Sequence, residues 1–206
     1  MATPLHEERL DAIVGHLLAS GARCVLDLGC GEGELLQRLV PHPQFDRLIG
    51  IDVNEGALDA ARRSLGLGSP AISDRIQVLR GSFEVADEAL AGFDAATLVE
   101  TIEHIDPRRL SRVEATVFGN MAPQIVLVTT PNQEYNVLYG LAPGQSRHPG
   151  HRFEWTRAKF MQWARGVARR HTYEVRFFGV GPSDSLHGST TQMARFIRHN
   201  RGGTTP

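Results

Sequence analysis

The 206-residue chain reads as an α/β protein with a mostly parallel sheet and helices on both faces. Three observations predict this. Short apolar runs alternate with helical spacings through most of the sequence, the pattern of a parallel sheet covered on both sides. The first run passes directly into a glycine-rich turn, as a strand feeding a helix does. The last two runs follow one another with no helix between them, which predicts a closing antiparallel pair.

The elements follow in order. "LHEERLDAIVGHLLASG" carries Leu5, Ile13, Leu17 and Leu18 at helical spacing and stops at Gly21. "RCVLDLGCGEG" is a buried strand entering a glycine turn and then a helix. "RLIGIDVN" is a second strand ending in an acid, and "NEGALDAARRSLG" is a helix capped by Asn54. "RIQVLRGSF" and "FDAATLVE" are the third and fourth strands. "PRRLSRVEATVFGNM" is a helix with Pro107 at its start. "QIVLVTT" is the fifth strand, stopped by Pro131, and "TRAKFMQWARGVARRH" is a helix capped by Thr156. "YEVRFFGVG" and "TTQMARFIRH" close the sheet, giving seven strands. One long irregular stretch, 131–155, interrupts the pattern, and a loop of that length in a compact domain is usually functional. Repeats and low-complexity linkers are absent.

Composition narrows the class. Hydrophobic residues make up 41% and charged residues 22%, ordinary values for one globular domain with a full core. No apolar run is long enough to span a membrane, and "MATPLHEERL" has no secretory pattern. Cys24 and Cys30 form no zinc-type spacing, so a reducing, cytoplasmic setting is expected. The net charge of −1 hides an asymmetry: residues 1–139 sum to −9 and residues 140–206 to +8. Such a basic segment is an electrostatic footprint for nucleic acid or an arginine-rich solvated surface.

Two motifs carry chemistry. In "VLDLGCGEG", Gly29, Gly31 and Gly33 lie between a strand and a helix, where glycine permits a sharp turn and close backbone approach to a ligand. Asp27 precedes this turn, and Asp52 follows at the tip of the second strand, where an acid can accept both hydroxyls of a ribose. In "LVETIEHIDP", Glu100, Glu103 and His104 stand at i, i+3 and i+4, which on a helix share one face. They are either a divalent-ion site or a solvated helix start. Because the fourth strand ends just before Glu100, these groups are expected at the ligand-binding edge of the sheet.

"VLDLGCGEGELL" with "IGIDVN" resembles the S-adenosylmethionine site of Rossmann-like class I methyltransferases. That resemblance implies donor contacts from Asp27, Gly29, Gly31, Asp52 and Val53, with Ser82 and Phe83 beside the adenine. "TTPNQEYN" and "RHPGHRFEWTR", taken with "ETIEH", resemble the methyltransferases that modify the 2′-hydroxyl of the 3′-terminal ribose of RNA. These include the plant small-RNA enzyme and its bacterial RNA-repair relatives. The likeness runs from about Leu5 to "TQMA" at 191–194; "GSPAISDR" at 68–75 and the tail after Phe196 carry no family signal. It implies one methyltransferase domain over 1–206, with a cofactor half at about 1–97 and a metal and RNA half at about 98–206. It also implies a catalytic ion held by Glu100, Glu103, His104 and His151, with Asn132, Tyr135, Arg147, His148 and Arg152 as substrate contacts. The bacterial relatives usually carry a separate N-terminal region that serves a ligase partner, and this chain is expected to start directly at the methyltransferase helix.

The expected partners are RNA with free 2′- and 3′-hydroxyls at its 3′ end and a polynucleotide kinase-phosphatase-ligase repair protein. Two carboxylates with two imidazoles favour Mn²⁺ or Co²⁺, with Mg²⁺ as the weaker alternative. One of the histidines is a candidate general base. The rival readings are a small-molecule O-methyltransferase acting on a phenol or quinone precursor, and a catalytically silent donor-binding module of a repair complex.

Overall fold

The computed structural model describes residues 3–67 and 75–199; segment 68–74 and the tail from residue 200 lie outside the described residues. Seven strands form one sheet: β1 (Cys24–Leu28), β2 (Arg47–Asp52), β3 (Ile76–Arg80), β4 (Ala95–Val99), β5 (Ile125–Pro131), β6 (Tyr173–Asp184) and β7 (Gly188–Arg198). Their spatial order is β3-β2-β1-β4-β5-β7-β6. β1 to β5 pair in parallel, and β7 runs antiparallel to both β5 and β6. This is the Rossmann-like architecture expected from the sequence.

Helices cover both faces because each presents one apolar stripe. On one face lie α1 (Pro4–Ser20), α2 (Glu34–Leu39) and α3 (Glu55–Ser64), burying Leu10, Ile13, Leu17, Leu36, Leu39 and Leu58. On the other lie α4 (Leu110–Glu114) with its continuation, and α5 (Arg157–His171), burying Val113, Val117, Phe118, Phe160, Ala164 and Val167. The caps match the sequence. The Asn54 side chain accepts from the Ala57 amide, the Thr156 hydroxyl accepts from Lys159, and Gly21 ends α1 in the left-handed region at φ 75°.

Two elements differ from expectation. The helix expected over 107–121 is built in three parts: a 3₁₀ turn at Pro107–Arg109, α4, and a π-helical stretch at Ala115–Met121. The widened last turns bring Val117, Phe118 and Met121 to the buried side together with Val113. β6 also runs past the predicted end at Gly181. The ladder breaks between Val180 and Ser183, where Pro182 offers no backbone N–H, and resumes as Ser183 and Asp184 pair with Ser189 and Gly188.

The chain turns outward from β1 to β2 and β3, then returns to place β4 on β1's other side. The carboxyl ends of β1 and β4 therefore meet at the reversal point, the position where open α/β sheets bind ligands. A buried hydrogen bond of 2.9 Å from the Thr97 hydroxyl to the Asp27 carboxylate ties β4 to β1. Burial pushes Asp27 up to about 7 against the opposing Thr97 bond. Among the described residues no helix is long and apolar enough to cross a membrane.

Two stability outcomes follow. Phe196 is fully buried on β7, with ring centroids 4.8 Å from Phe118 and 6.4 Å from Trp163. Phe196→Ala should cost about 3–5 kcal/mol in urea unfolding. Asp27 is raised above its unfolded value, so ionising it costs stability as pH rises from about 4 through about 7. Asp27→Asn cannot ionise. Relative to wild type it should gain stability across that window by up to about 1.4 kcal/mol per pH unit, read from unfolding curves at several pH values.

Candidate active site

The glycine turn is strapped to the end of β2. The amides of Gly29 and Cys30 both donate to the Ile51 carbonyl, at 2.8 and 3.0 Å. One Asp52 oxygen accepts from the Gly31 amide and the other from the Asn54 amide, each at 2.9 Å. Glycine is required at position 29 on two counts: φ is 83°, and a Cβ there would stand 2.7 Å from the Thr101 methyl.

An open cleft of about 460 Å³ lies over this turn, bordered by Gly29, Asp52, Val53, Ser82 and Phe83 on one side and by Glu100, Thr101 and His104 on the other. The structure thus brings most of the expected donor contacts into one cavity with two of the expected metal ligands. Gly31 lies just outside, held by Asp52. Asp27 lies beneath the turn inside the sheet, 3% exposed, and does not border the cleft.

The "ETIEH" string does not sit on an α-helix. Glu100 leaves β4 in the left-handed region at φ 50°, an uncommon conformation for a non-glycine residue, and Ile102–His104 form a single 3₁₀ turn. The Glu100 amide donates to the Thr129 carbonyl and hydroxyl, at 3.2 and 3.0 Å, which holds this bend. Glu103 is fully buried, and one of its oxygens accepts from Thr130 at 3.1 Å. The other Glu103 oxygen and one Glu100 oxygen are buried with no hydrogen-bond partner among the described residues. Burial raises Glu103 well above the ordinary carboxylate range, and the neighbouring Glu100 carboxylate adds to it. Burial also raises Glu100, opposed mainly by Arg9, whose guanidinium lies 3.4 Å away.

The long loop brings histidines to the same place. One ring nitrogen from each of His104, His148 and His151 lies within 4.8 Å of the others. Their hydrogen bonds set them apart. His151 Nδ1 faces a Glu154 oxygen at 2.6 Å, and His104 Nδ1 faces the Gly150 carbonyl at 3.2 Å. Carboxylate and carbonyl oxygens only accept, so both rings carry a proton on Nδ1, and in the neutral form of either ring the lone pair is on Nε2. His148 is the reverse: its Nδ1 accepts from the Gly150 amide at 3.0 Å, so its neutral ring carries the proton on Nε2. Burial holds His104 below the ordinary imidazole range.

The other expected substrate contacts divide. Asn132 is buried and fully engaged, donating to the His187 and Ser189 carbonyls and accepting from the Glu134 amide. Arg147 anchors the loop from within, bonding Asn136, the Asn132 carbonyl and the Thr190 carbonyl at 2.5–2.8 Å. Tyr135 is half-buried beside Tyr139, with centroids 5.5 Å apart. The Arg152 amide donates to the Glu103 carbonyl at 2.7 Å, while its side chain borders a separate cleft with His104, Asp106 and Arg109.

Sequence reasoning missed Arg9 and Glu154. Glu154 collects the Arg147 amide, the Asn136 amide group and His151. A signal existed for it, an acid three residues after the candidate ligand His151. Arg9 had none, being one basic residue among several polar positions of α1.

The unpartnered carboxylate oxygens and the two free imidazole lone pairs are the donor set a divalent cation would satisfy. Glu100, Glu103, His104 and His151 have the chemistry for such an ion, while the ligand atoms that the structure brings within 4.8 Å of one another are those of His104, His148 and His151. A general methyltransferase-domain family model matches residues 25–124. The chain is 36% identical to a small RNA 2′-O-methyltransferase of Xenopus tropicalis, over 95% of this chain and 55% of that protein. It spans about half the length of the curated animal relatives it matches. The crystal structure of the methyltransferase domain of bacterial CtHen1 is similar at TM-score 0.85 and 39% identity, over 94% of this chain and 99% of that one. A chain of the Pnkp1/Rnl/Hen1 RNA repair complex, 23% identical with TM-score 0.69, shares the fold over 96% of this chain and 42% of that one. With this fold, this cleft and these relatives, the chain belongs to the Hen1 family of small RNA 2′-O-methyltransferases, matching the family's methyltransferase domain.

Proposed function

We propose that the chain transfers a methyl group from S-adenosylmethionine to the 2′-hydroxyl of the 3′-terminal ribose of RNA, using a divalent cation. The observation that carries this reading is the single cleft in which Asp52 and the glycine turn face Glu100 and His104. The donor's ribose hydroxyls would meet Asp52, and its sulfonium methyl would point toward the acids and imidazoles. The S–CH₃ bond breaks as the O–CH₃ bond forms, S-adenosylhomocysteine leaves, and the 2′-hydroxyl passes its proton to solvent water at the open cleft. Glu100, Glu103, His104 and His151 would hold the cation. When bound, it supplies Lewis acidity that makes a ribose hydroxyl a competent nucleophile near neutral pH. The terminal ribose offers a vicinal diol where an internal one does not, which gives end selectivity without base reading. DNA lacks the 2′-hydroxyl altogether.

The His148 tautomer supports leaving it outside the ligand set, as a donor toward substrate. The small-molecule alternative lacks support from the relatives, which are named for small RNA. A silent module is disfavoured by intact candidates at all four ligand positions. For a repair-protein partner the support is at the level of fold, through the repair-complex neighbour. A cytoplasmic setting belongs to the same proposal, with Cys24 and Cys30 both free thiols.

The decisive experiment is transfer from labelled donor to a short RNA bearing a 3′-terminal diol, with and without chelator. Chelator should abolish transfer, and a 3′-phosphorylated or terminally 2′-deoxy RNA should remain unmethylated. Efficient modification of the 3′-phosphorylated RNA would overturn the diol reading. After stripping, Mn²⁺ or Co²⁺ should restore turnover at lower concentration than Mg²⁺. Alanine at Glu100, Glu103, His104 or His151 should each weaken metal response and activity together, with His148→Ala milder. Restoration by Mg²⁺ alone, or a His148→Ala defect worse than His151→Ala, would refute the ligand assignment. Asp52→Ala should weaken donor binding by roughly 1.5–3 kcal/mol in calorimetry, since it removes charged acceptors from both the donor and the glycine turn.

A further inference from the structure

The +8 segment is expected to hold RNA phosphates, yet much of its charge is already engaged. Arg147 is half-buried and engaged in loop contacts. Arg157 pairs with Glu134, Arg170 with Glu114 and Arg176 with Glu174. On α5, Arg165 and Arg169 are different: both are exposed, and neither makes an ion pair among the described residues.

They border one groove of about 770 Å³ between α5 and the edge strand β6, with Gln162, Tyr173 and Val175. The Arg165 guanidinium lies 5.5 Å from the Phe177 ring centroid, which holds it over the groove. Residues at i and i+4 share one helix face, with Cβ atoms about 5–6 Å apart, so the two guanidinium groups can meet successive phosphates. β6 alternates in the favourable sense. Tyr173, Val175 and Phe177 pack toward α5, and Glu174 lies on the opposite face with Arg176. Met161 borders this groove and also a smaller cavity of about 250 Å³, walled by Phe160 and Phe177, that reaches Asn132 at the start of the long loop. The cavity and the groove meet at Met161 and together follow α5, about 18 Å from Arg157 to Arg169 at 1.5 Å per residue.

We propose that the α5–β6 groove carries the phosphate backbone of single-stranded RNA upstream of its methylated end, with Arg165 and Arg169 as the phosphate contacts. This rests on the RNA reading above and names the strand's path. The other exit, past Arg109 and Arg152, is less suited. Asp106 borders that cleft, and Glu84 pairs with Arg109 at 2.7 Å.

The test is binding of 3′-hydroxyl oligoribonucleotides of three and twelve nucleotides, followed by fluorescence anisotropy across a salt series. The wild-type chain should bind the 12-mer more tightly than the 3-mer. In the R165A/R169A double variant this length advantage should collapse, and the slope of log K against log salt for the 12-mer should shrink by about 1.4, two contacts at about 0.7 each. R165K/R169K should recover most of the slope, which a merely structural defect would not. Retention of both length advantage and slope in R165A/R169A would overturn the proposal, as would transfer of the effect to R109A/R152A. If no oligoribonucleotide binds the wild-type chain, the RNA reading falls with it. If RNA is methylated but R165A/R169A is indistinguishable from wild type, only the path is wrong.

Discussion

The parallel pairing of β1 with β4 is the constraint on which the site depends. Val25, Leu26 and Asp27 lie opposite Ala95, Ala96 and Thr97, so both strands end at the same height. The glycine turn and the two acids come from segments more than 60 residues apart, and this register alone makes them neighbours. Gly29 packs so closely against Thr101 that no side chain fits between them. The Thr101 hydroxyl in turn bonds the Leu28 and Val99 carbonyls, closing the seam from the other strand. A shift of register would separate the donor half from the half that holds the acids.

The long loop depends on a second device, a buried polar network. Glu154 and Arg147 are charged groups taken out of water, which is tolerable only with nearly every hydrogen-bonding position filled. Glu154 accepts from three donors, and Arg147 reaches across to the Thr190 carbonyl on β7. The loop is thereby clamped to the sheet although it has little regular structure. The same Glu154 fixes the proton on His151, so loop order and the chemical state of a candidate ligand have one cause.

The architecture was legible because it rests on periodic signals. Strand runs, the Asn54 and Thr156 caps and the Gly21 stop are local, and the structure keeps them. The continuation of β6 past Pro182 was not legible. It depends on pairing with β7, which outweighs a local breaker at an irregularity in the ladder. Spacing singled out the acid and imidazole positions of "ETIEH", but the helix face assumed beneath that spacing is not what the chain forms. A left-handed Glu100 followed by a 3₁₀ turn puts Glu100 and His104 on the cleft and leaves Glu103 fully buried. Arg9 was invisible because its role arises only when α1 folds over the end of β4. The tautomers were invisible for a similar reason, since those of His104 and His148 follow from the carbonyl and amide of Gly150 and that of His151 from Glu154.

The charge asymmetry shows how composition and structure divide the argument. A sum of +8 over residues 140–206 suggests a uniformly attractive surface. Folding uses several of these cations to neutralise acids such as Glu114 and Glu134 and to clamp the loop. Among the described cations left without an acid partner, Arg165 and Arg169 form a short row on one helix face. In the other direction, folding buries Glu103 and half-buries Glu100, leaving one oxygen of each without a hydrogen-bond partner among the described residues. On the proposed function, an ion would satisfy those oxygens and a strand would meet the exposed arginines. That division, more than any single motif, separates the functional edge of this sheet from the scaffold beneath it.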